Sequence, residues 1–180
     1  MTAGPTATAD AASVETIAQR CRIEPLVLDG VLPELCAPLE QIILQRSQVG
    51  RSTKSLNVGG WKSAEDFFLW PNAAVQQLRQ WIVANAEIRI PRLVGWAMIN
   101  RAGSHHPRHQ HRAAQLTGIY YVTPGSEDAI TPTVFECPGG DLEVEPHPGR
   151  LVICRGDTWH RVPAYPGELP RITIAFDVRR

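Results

Sequence analysis

Along the C-terminal half of the chain, hydrophobic and polar residues alternate. In RITIAFDV (171–178), Ile172, Ile174, Phe176 and Val178 fall on one side and Arg171, Thr173, Ala175 and Asp177 on the other. This is the two-residue period of a strand with one apolar face. Further short β-like runs are RLVGWAMIN (92–100), QLTGIYYVT (115–123), TPTVFE (131–136), GRLVICR (149–155) and WHRVPA (159–164), separated by Gly/Pro turns. Ahead of them the period is helical. Leu35, Leu39, Ile42 and Ile43 fall at i, i+4, i+7 and i+8, with Pro33 near the first turn and Gly50 just beyond the end. A second helical segment runs from about Ala64 to Ala84, with Val75, Leu78 and Ile82 on one face, and Pro71 splits it in two. The loop RSTKSLNVGGWKS joins the two segments, and the small, polar residues 1–14 read as a poorly ordered tail. Helices first and short strands afterwards predict an α+β chain that is mainly β. One domain is expected over residues 15–180, helical to about 90, with an antiparallel sandwich or barrel from about 91.

A chain of 180 residues needs no disulfide or metal staple merely to fold. Eighteen basic and eighteen acidic residues cancel. That balance argues against a general nucleic-acid or anionic-membrane binder, both of which carry a positive field. No stretch approaches the ~20 apolar residues of a membrane span, and the first dozen residues lack the basic start and apolar run of a signal peptide. Cys21, Cys36, Cys137 and Cys154 form no CxxC pair, so the expectation is a reduced, cytoplasmic protein.

Histidine changes the picture, because four of the six fall in Gly103-Ser-His105-His106-Pro-Arg-His109-Gln-His111. On a strand, i and i+2 share a face about 6.5 Å apart, so His109 and His111 can converge on one metal. Two imidazoles bind weakly, and His160, opening another short strand, is the obvious third. Imidazole suits iron, copper, nickel and zinc alike, and three protein ligands leave positions open for catalysis. Such ligands must be neutral, so metal affinity is expected to collapse below about pH 6. A His-rich tract is equally readable as a solvated loop with adventitious metal affinity; His105 and His106 are read as residues behind the ligands or on the surface, and His147 as loop. Arg171 and Thr173 then share the polar face of the last strand. A guanidinium with a hydroxyl beside it is a receptor for a carboxylate, although Arg171 would equally serve a surface ion pair.

These pieces together resemble a family of 2-oxoglutarate/Fe(II)-dependent oxygenases. The residues that carry the likeness are His109-x-His111, Leu116-Thr-Gly-Ile-Tyr120-Tyr121-Val, Gly149-Arg-Leu-Val-Ile, His160-Arg-Val and Arg171-Ile-Thr173-Ile-Ala-Phe176. The family pattern is roughly HxHp, lSGvYY, GrlvlFP, HxV and RiSiaFN, in that order. Upstream, Leu56-Asn-Val-Gly59-Gly60-Trp61-Lys-Ser63 is similar to its sN-x-GGW-x-S segment. The resemblance covers about residues 50–180 and implies a double-stranded β-helix (jelly-roll) with the N-terminal helices packed on it. It implies Fe(II) held by His109, His111 and His160, with 2-oxoglutarate meeting Arg171 and Thr173. Asn100 and Tyr120 or Tyr121 would line that pocket; strand parity cannot be carried through Ala113-Ala114, so Tyr120 is placed on the cosubstrate and Tyr121 on the substrate side. Trp61, Arg155 and Trp159 are the other substrate-side candidates. The implied reaction is hydroxylation of a small-molecule or amino-acid-like substrate by dioxygen, with succinate and CO2 as co-products, in a protein free to form a homo-oligomer.

Three departures stand out. The wider superfamily uses H-x-D/E, whereas position 111 is His. The residues in place of the family's FP are Cys154-Arg155. Its final Asn is Asp177, which six residues past Arg171 is expected at the pocket rim or outside. A second reading keeps the fold and drops 2-oxoglutarate: a cupin-type three-histidine iron dioxygenase acting on thiols. There Gln115 replaces the expected Glu, and Arg171 has no role. A third is a non-catalytic jelly-roll binding protein, for which the histidines need not converge.

Overall fold

A computed structural model describes residues 21, 24–53, 56–85 and 93–179; the expected tail, 1–14, lies outside the described residues. Pro33 opens a 3-10 turn, Pro33–Leu35, which runs into helix α1, Cys36–Val49. The second helical segment is divided as Pro71 requires. A 3-10 turn at Phe67–Leu69 precedes it and α2, Ala73–Asn85, follows. Asn72 starts α2 by accepting the Ala74 and Val75 amides on its Oδ1, at 3.0 and 3.2 Å, which satisfies two donors that the first helical turn leaves open.

Ten strands form two antiparallel sheets. The strands are β1 (Leu26–Leu28), β2 (Trp61–Lys62), β3 (Leu93–Asn100), β4 (His106–His109), β5 (Ala114–Thr123), β6 (Thr133–Cys137), β7 (Gly140–Val144), β8 (Leu151–Arg155), β9 (His160–Val162) and β10 (Arg171–Arg179). The larger sheet has the order β1-β8-β5-β10-β3-β2 and the smaller β4-β9-β6-β7. From β3 onwards the chain passes back and forth between them, which is the winding of a double-stranded β-helix. β1 and β2 extend the larger sheet at its two edges.

The alternation in β10 is realised as the sequence predicts. Ile172, Ile174 and Phe176 join Ala97, Ile99, Tyr120, Val122, Leu151 and Ile153 in one core. Leu39 and Ile43 of α1, Val75, Leu78 and Ile82 of α2, and the Phe67, Phe68 and Trp70 turn complete it. Each fully buried side chain of this size contributes roughly 1.5–3 kcal/mol, so this layer anchors the helices on the larger sheet. Gly118 is part of the fit: a Cβ there would lie 2.2 Å from the Phe176 ring.

The opposite face of β10 looks between the sheets. In register with Arg171, Thr173, Ala175 and Asp177 stand Asn100, Met98, Trp96 and Val94 of β3. On the other flank, Tyr121, Ile119 and Thr117 of β5 oppose Thr173, Ala175 and Asp177. One face of one central strand thus becomes the floor of a cavity.

Candidate metal centre and its cavity

His109 closes β4 and lies opposite His160, which opens β9. His111 stands two residues past His109, where its amide donates to the Gly156 carbonyl at 2.7 Å. The imidazoles of His109, His111 and His160 come together, with one ligand atom from each lying within 4.8 Å of the other two. Ring centroids are 4.3 Å apart for His109–His160, 5.2 Å for His109–His111 and 5.3 Å for His111–His160. Metal–nitrogen bonds of about 2.0–2.1 Å set donor separations of roughly 3–3.5 Å. A small inward movement therefore suffices to close the set on one ion.

The far side of each ring is occupied. His109 Nδ1 donates to the Pro107 carbonyl at 2.8 Å and His160 Nδ1 to the Thr158 carbonyl at 3.0 Å. His111 Nδ1 lies 2.9 Å from Asp177 Oδ1. A ring that gives its Nδ1 proton to an acceptor keeps the Nε2 lone pair for a metal. Burial holds His109 below the ordinary imidazole value, reinforced by His111 and opposed by the Pro107 carbonyl. His160 is pushed down to about 3, first by burial and then by His109. For His160 neutrality extends well below the pH of about 6 expected from the sequence, and His109 is shifted in the same direction.

A cavity runs from this cluster along β10. It is lined by Trp96, Met98, His106, Thr117, Ile119, Thr133, Val162, Arg171, Thr173 and Ala175 together with the three histidines. Arg171 is its most buried charged residue, 2% exposed. Its Nη2 donates to Thr133 Oγ1 at 3.2 Å, its guanidinium carbon sits 5.5 Å from the Tyr121 ring centre, and its Nε has no partner. No described carboxylate lies against it, and burial works against its charge. Asn100, 1% exposed, has neither side-chain oxygen nor nitrogen partnered, and His106 Nε2 is likewise buried and unpartnered. Burial, then Arg171, pushes His106 down to about 3. Asn100 is not among the residues that line the cavity, but orphaned polar atoms on Arg171 and His106, which are, fit a polar guest, since each costs free energy while unmatched.

Five expected site residues stand elsewhere. Tyr120 faces the helices, where its hydroxyl donates to the Val31 and Leu32 carbonyls at 2.9 Å. Tyr121 has the inward place instead, beside Arg171 rather than on the substrate side, with its hydroxyl on Thr133 Oγ1 at 2.8 Å. Trp61 packs against the helix-side core and donates from Nε1 to the Gly50 carbonyl at 3.0 Å. Arg155 ends β8 on the surface, paired with Asp157. Trp159 lies under the Arg108 guanidinium, 3.7 Å from its ring centre, on the other side of the strand from His160. Strand parity is the common reason: next neighbours along a strand point oppositely.

Other residues take those places. An outer cleft lined by Leu56, Asn57, Lys62, Trp96 and Met98 opens onto His106, His109 and His111. Lys62, one position past Trp61, holds its ammonium 4.4 Å over the Trp96 ring, and burial lowers its basicity. Thr133 belongs to no chemical motif and escaped the sequence reading, whereas His106, expected behind the ligands or on the surface, is buried and lines the cavity. Asp177, expected at the rim or outside, is only 7% exposed and touches His111. The clean alternation of β10 already placed it on the inner face.

No family model and no curated protein sequence matches this chain significantly. Solved structures do. A prolyl-4-hydroxylase of Pseudomonas putida superimposes with a TM-score of 0.70 at 18% identity, covering 93% of this chain and 99% of that one. A prolyl hydroxylase of Trichoplax adhaerens, in complex with a hypoxia-inducible-factor peptide, gives 0.73 at 14% identity over 92% and 88%. The epimerase SnoN of nogalamycin biosynthesis, in complex with Fe3+, α-ketoglutarate and a nogalamycin compound, gives 0.70 at 14% over 91% and 82%. Over nearly its whole described length, this chain has the double-stranded β-helix fold of those enzymes.

Proposed function

We propose that this chain is a non-haem Fe(II)/2-oxoglutarate-dependent oxygenase that hydroxylates a small-molecule or amino-acid-like substrate. The observation that carries the reading is Arg171, a fully buried guanidinium with one hydrogen bond, an orphaned Nε and no anionic partner among the described residues. A buried charge of this kind is costly unless something neutralises it. A ligand carboxylate at the end of the cavity would do so bidentately. The same cavity holds three imidazoles, two with Nδ1 on backbone carbonyls and the third with Nδ1 2.9 Å from Asp177 Oδ1, a donor set that suits Fe(II). A dicarboxylate with a chelating 2-oxo acid group at one end matches both. The complexes of SnoN with Fe3+ and α-ketoglutarate and of a viral collagen prolyl hydroxylase with 2OG, which share the fold, support the same pairing.

His109, His111 and His160 would hold the metal. Arg171 and Thr173 would bind the distal carboxylate, with Asn100 and His106 offering further polar contacts. Bound together with dioxygen, iron and 2-oxoglutarate supply the oxidising power for C–H hydroxylation, leaving succinate and carbon dioxide. Trp96, Met98, Ile119, Val162 and Ala175 keep bulk water from the cavity. Leu56, Trp96 and Met98 would offer apolar contact to a substrate in the outer cleft, and Lys62, whose ammonium rests over the Trp96 ring, would meet a substrate carboxylate there. The all-histidine ligand set also suits a cupin-type thiol dioxygenase, but that reading leaves Arg171 unexplained.

The test is release of labelled CO2 from 1-14C-2-oxoglutarate by the iron-loaded protein in air. Oxygen-dependent release that falls at least tenfold in Arg171→Met supports the proposal. No release, with cysteine or another small thiol consuming dioxygen instead, would move the protein to the cupin reading.

A further inference from the structure

Asp177 stands on the inner face of β10 between Val94 of β3 and Thr117 of β5, 7% exposed. Its Oδ1 has no hydrogen bond in line, and its one ion-pair contact among the described residues is His111 Nδ1 at 2.9 Å. Lys62 acts on it only from longer range, its ammonium being lodged over Trp96. A carboxylate buried in this way costs several kcal/mol unless a cation offsets it. The other two imidazoles of the cluster also lie against His111, with ring centres 5.2 and 5.3 Å away. The His111 ring is also clamped, because Trp96 stacks on it at 5.8 Å and within 3° of parallel. His109 and His160 rest their Nδ1 atoms on neutral backbone carbonyls. His111 alone is backed by a side chain that can carry charge.

We infer that Asp177 is the anionic member of this metal centre and acts through His111. It fixes the tautomer and orientation of that ring and offsets the charge of the dication, doing from one residue further out what an Asp or Glu at position 111 would do by direct ligation. It is a positioning residue. The inference rests on the metal reading of the three histidines and is independent of cosubstrate and substrate.

The experiment is anaerobic titration of Fe(II) and of Co(II) into metal-free protein, wild type and Asp177→Asn, together with the melting temperature of each metal-free form. Asn keeps the size and removes the charge. Affinity is expected to fall about 10–100-fold, as for other partners that orient ligating histidines, while the metal-free melting temperature stays level or rises. A merely structural role would lower the melting temperature and spare affinity. The double variant His111→Asp/Asp177→Asn, with its carboxylate moved onto the metal, is expected to regain at least tenfold of the lost affinity. Wild-type affinity in Asp177→Asn overturns the inference while leaving the histidine site intact. Failure of wild type to bind either metal overturns both. If Asp177→Asn does not fold, the double variant decides: folding with metal binding supports the inference, and failure to fold or bind overturns it.

Discussion

His106 and His160 are imidazoles kept uncharged by burial, and that has a consequence for the metal-free protein. Each is pushed down to about 3 in the folded state, against about 6.5 in an unfolded chain. Between these values the unfolded chain binds more protons than the folded one. Stability is therefore fully present above about pH 6.5 and falls as pH is lowered towards 3, by up to about 1.4 kcal/mol per pH unit for each ring. Urea midpoints of metal-free protein at pH 7, 6 and 5 are expected to decline steadily, and His106→Gln should remove one ring's share of the slope. A flat wild-type profile would contradict the buried, uncharged state of these rings. At this scale Arg171, Thr173 and the three histidines were legible, because alternation and H-x-H spacing are local. The tyrosines were not, since β5 meets β10 through a register shift between Ile172 and Thr173 that parity counting cannot foresee. Trp61 came from the GGW likeness alone, and Lys62 was not legible because a two-residue strand has no period to read.

Among the elements, both helices, the proline break and six of the strands are recognisable in the sequence. The four that are not share a position. β1 and β2 are the edges of the larger sheet, and β4 and β7 the edges of the smaller. Edge strands tolerate proline and polar residues and gain little from hydrophobic alternation, as His-Pro-Arg-His of β4 and Gly-Asp-Leu-Glu-Val of β7 show. The central strands obey tighter packing. Gly118 of β5 leaves room for the Phe176 ring of β10, and an added Cβ would meet it at 2.2 Å. Gly118→Ala is expected to cost about 1–3 kcal/mol through displacement of that ring, measured as a lower urea midpoint. An unchanged midpoint would show that Phe176 has freedom the tight core denies it.

For the whole molecule, the order of helices, strands and motifs pointed to a double-stranded β-helix, and the two sheets wind as one. The site depends on a feature no local motif announces. The inner face of β10 carries a buried guanidinium at Arg171 and a buried carboxylate at Asp177, with Thr173 and Ala175 between them. The two charges stand at opposite ends of one strand and neither is paired with the other. The fold thereby sets an anion-seeking group and a cation-seeking group about the histidine cluster, and on the proposed function a metal chelated by a dicarboxylate would satisfy both. The most direct measurement is anaerobic calorimetric titration of 2-oxoglutarate into protein loaded with Fe(II), beside the Arg171→Met variant. The account predicts one 2-oxoglutarate bound per iron in wild type, with affinity at least 100-fold weaker in the variant. Equal binding by the two proteins, or no binding by wild type that holds its iron, would contradict it.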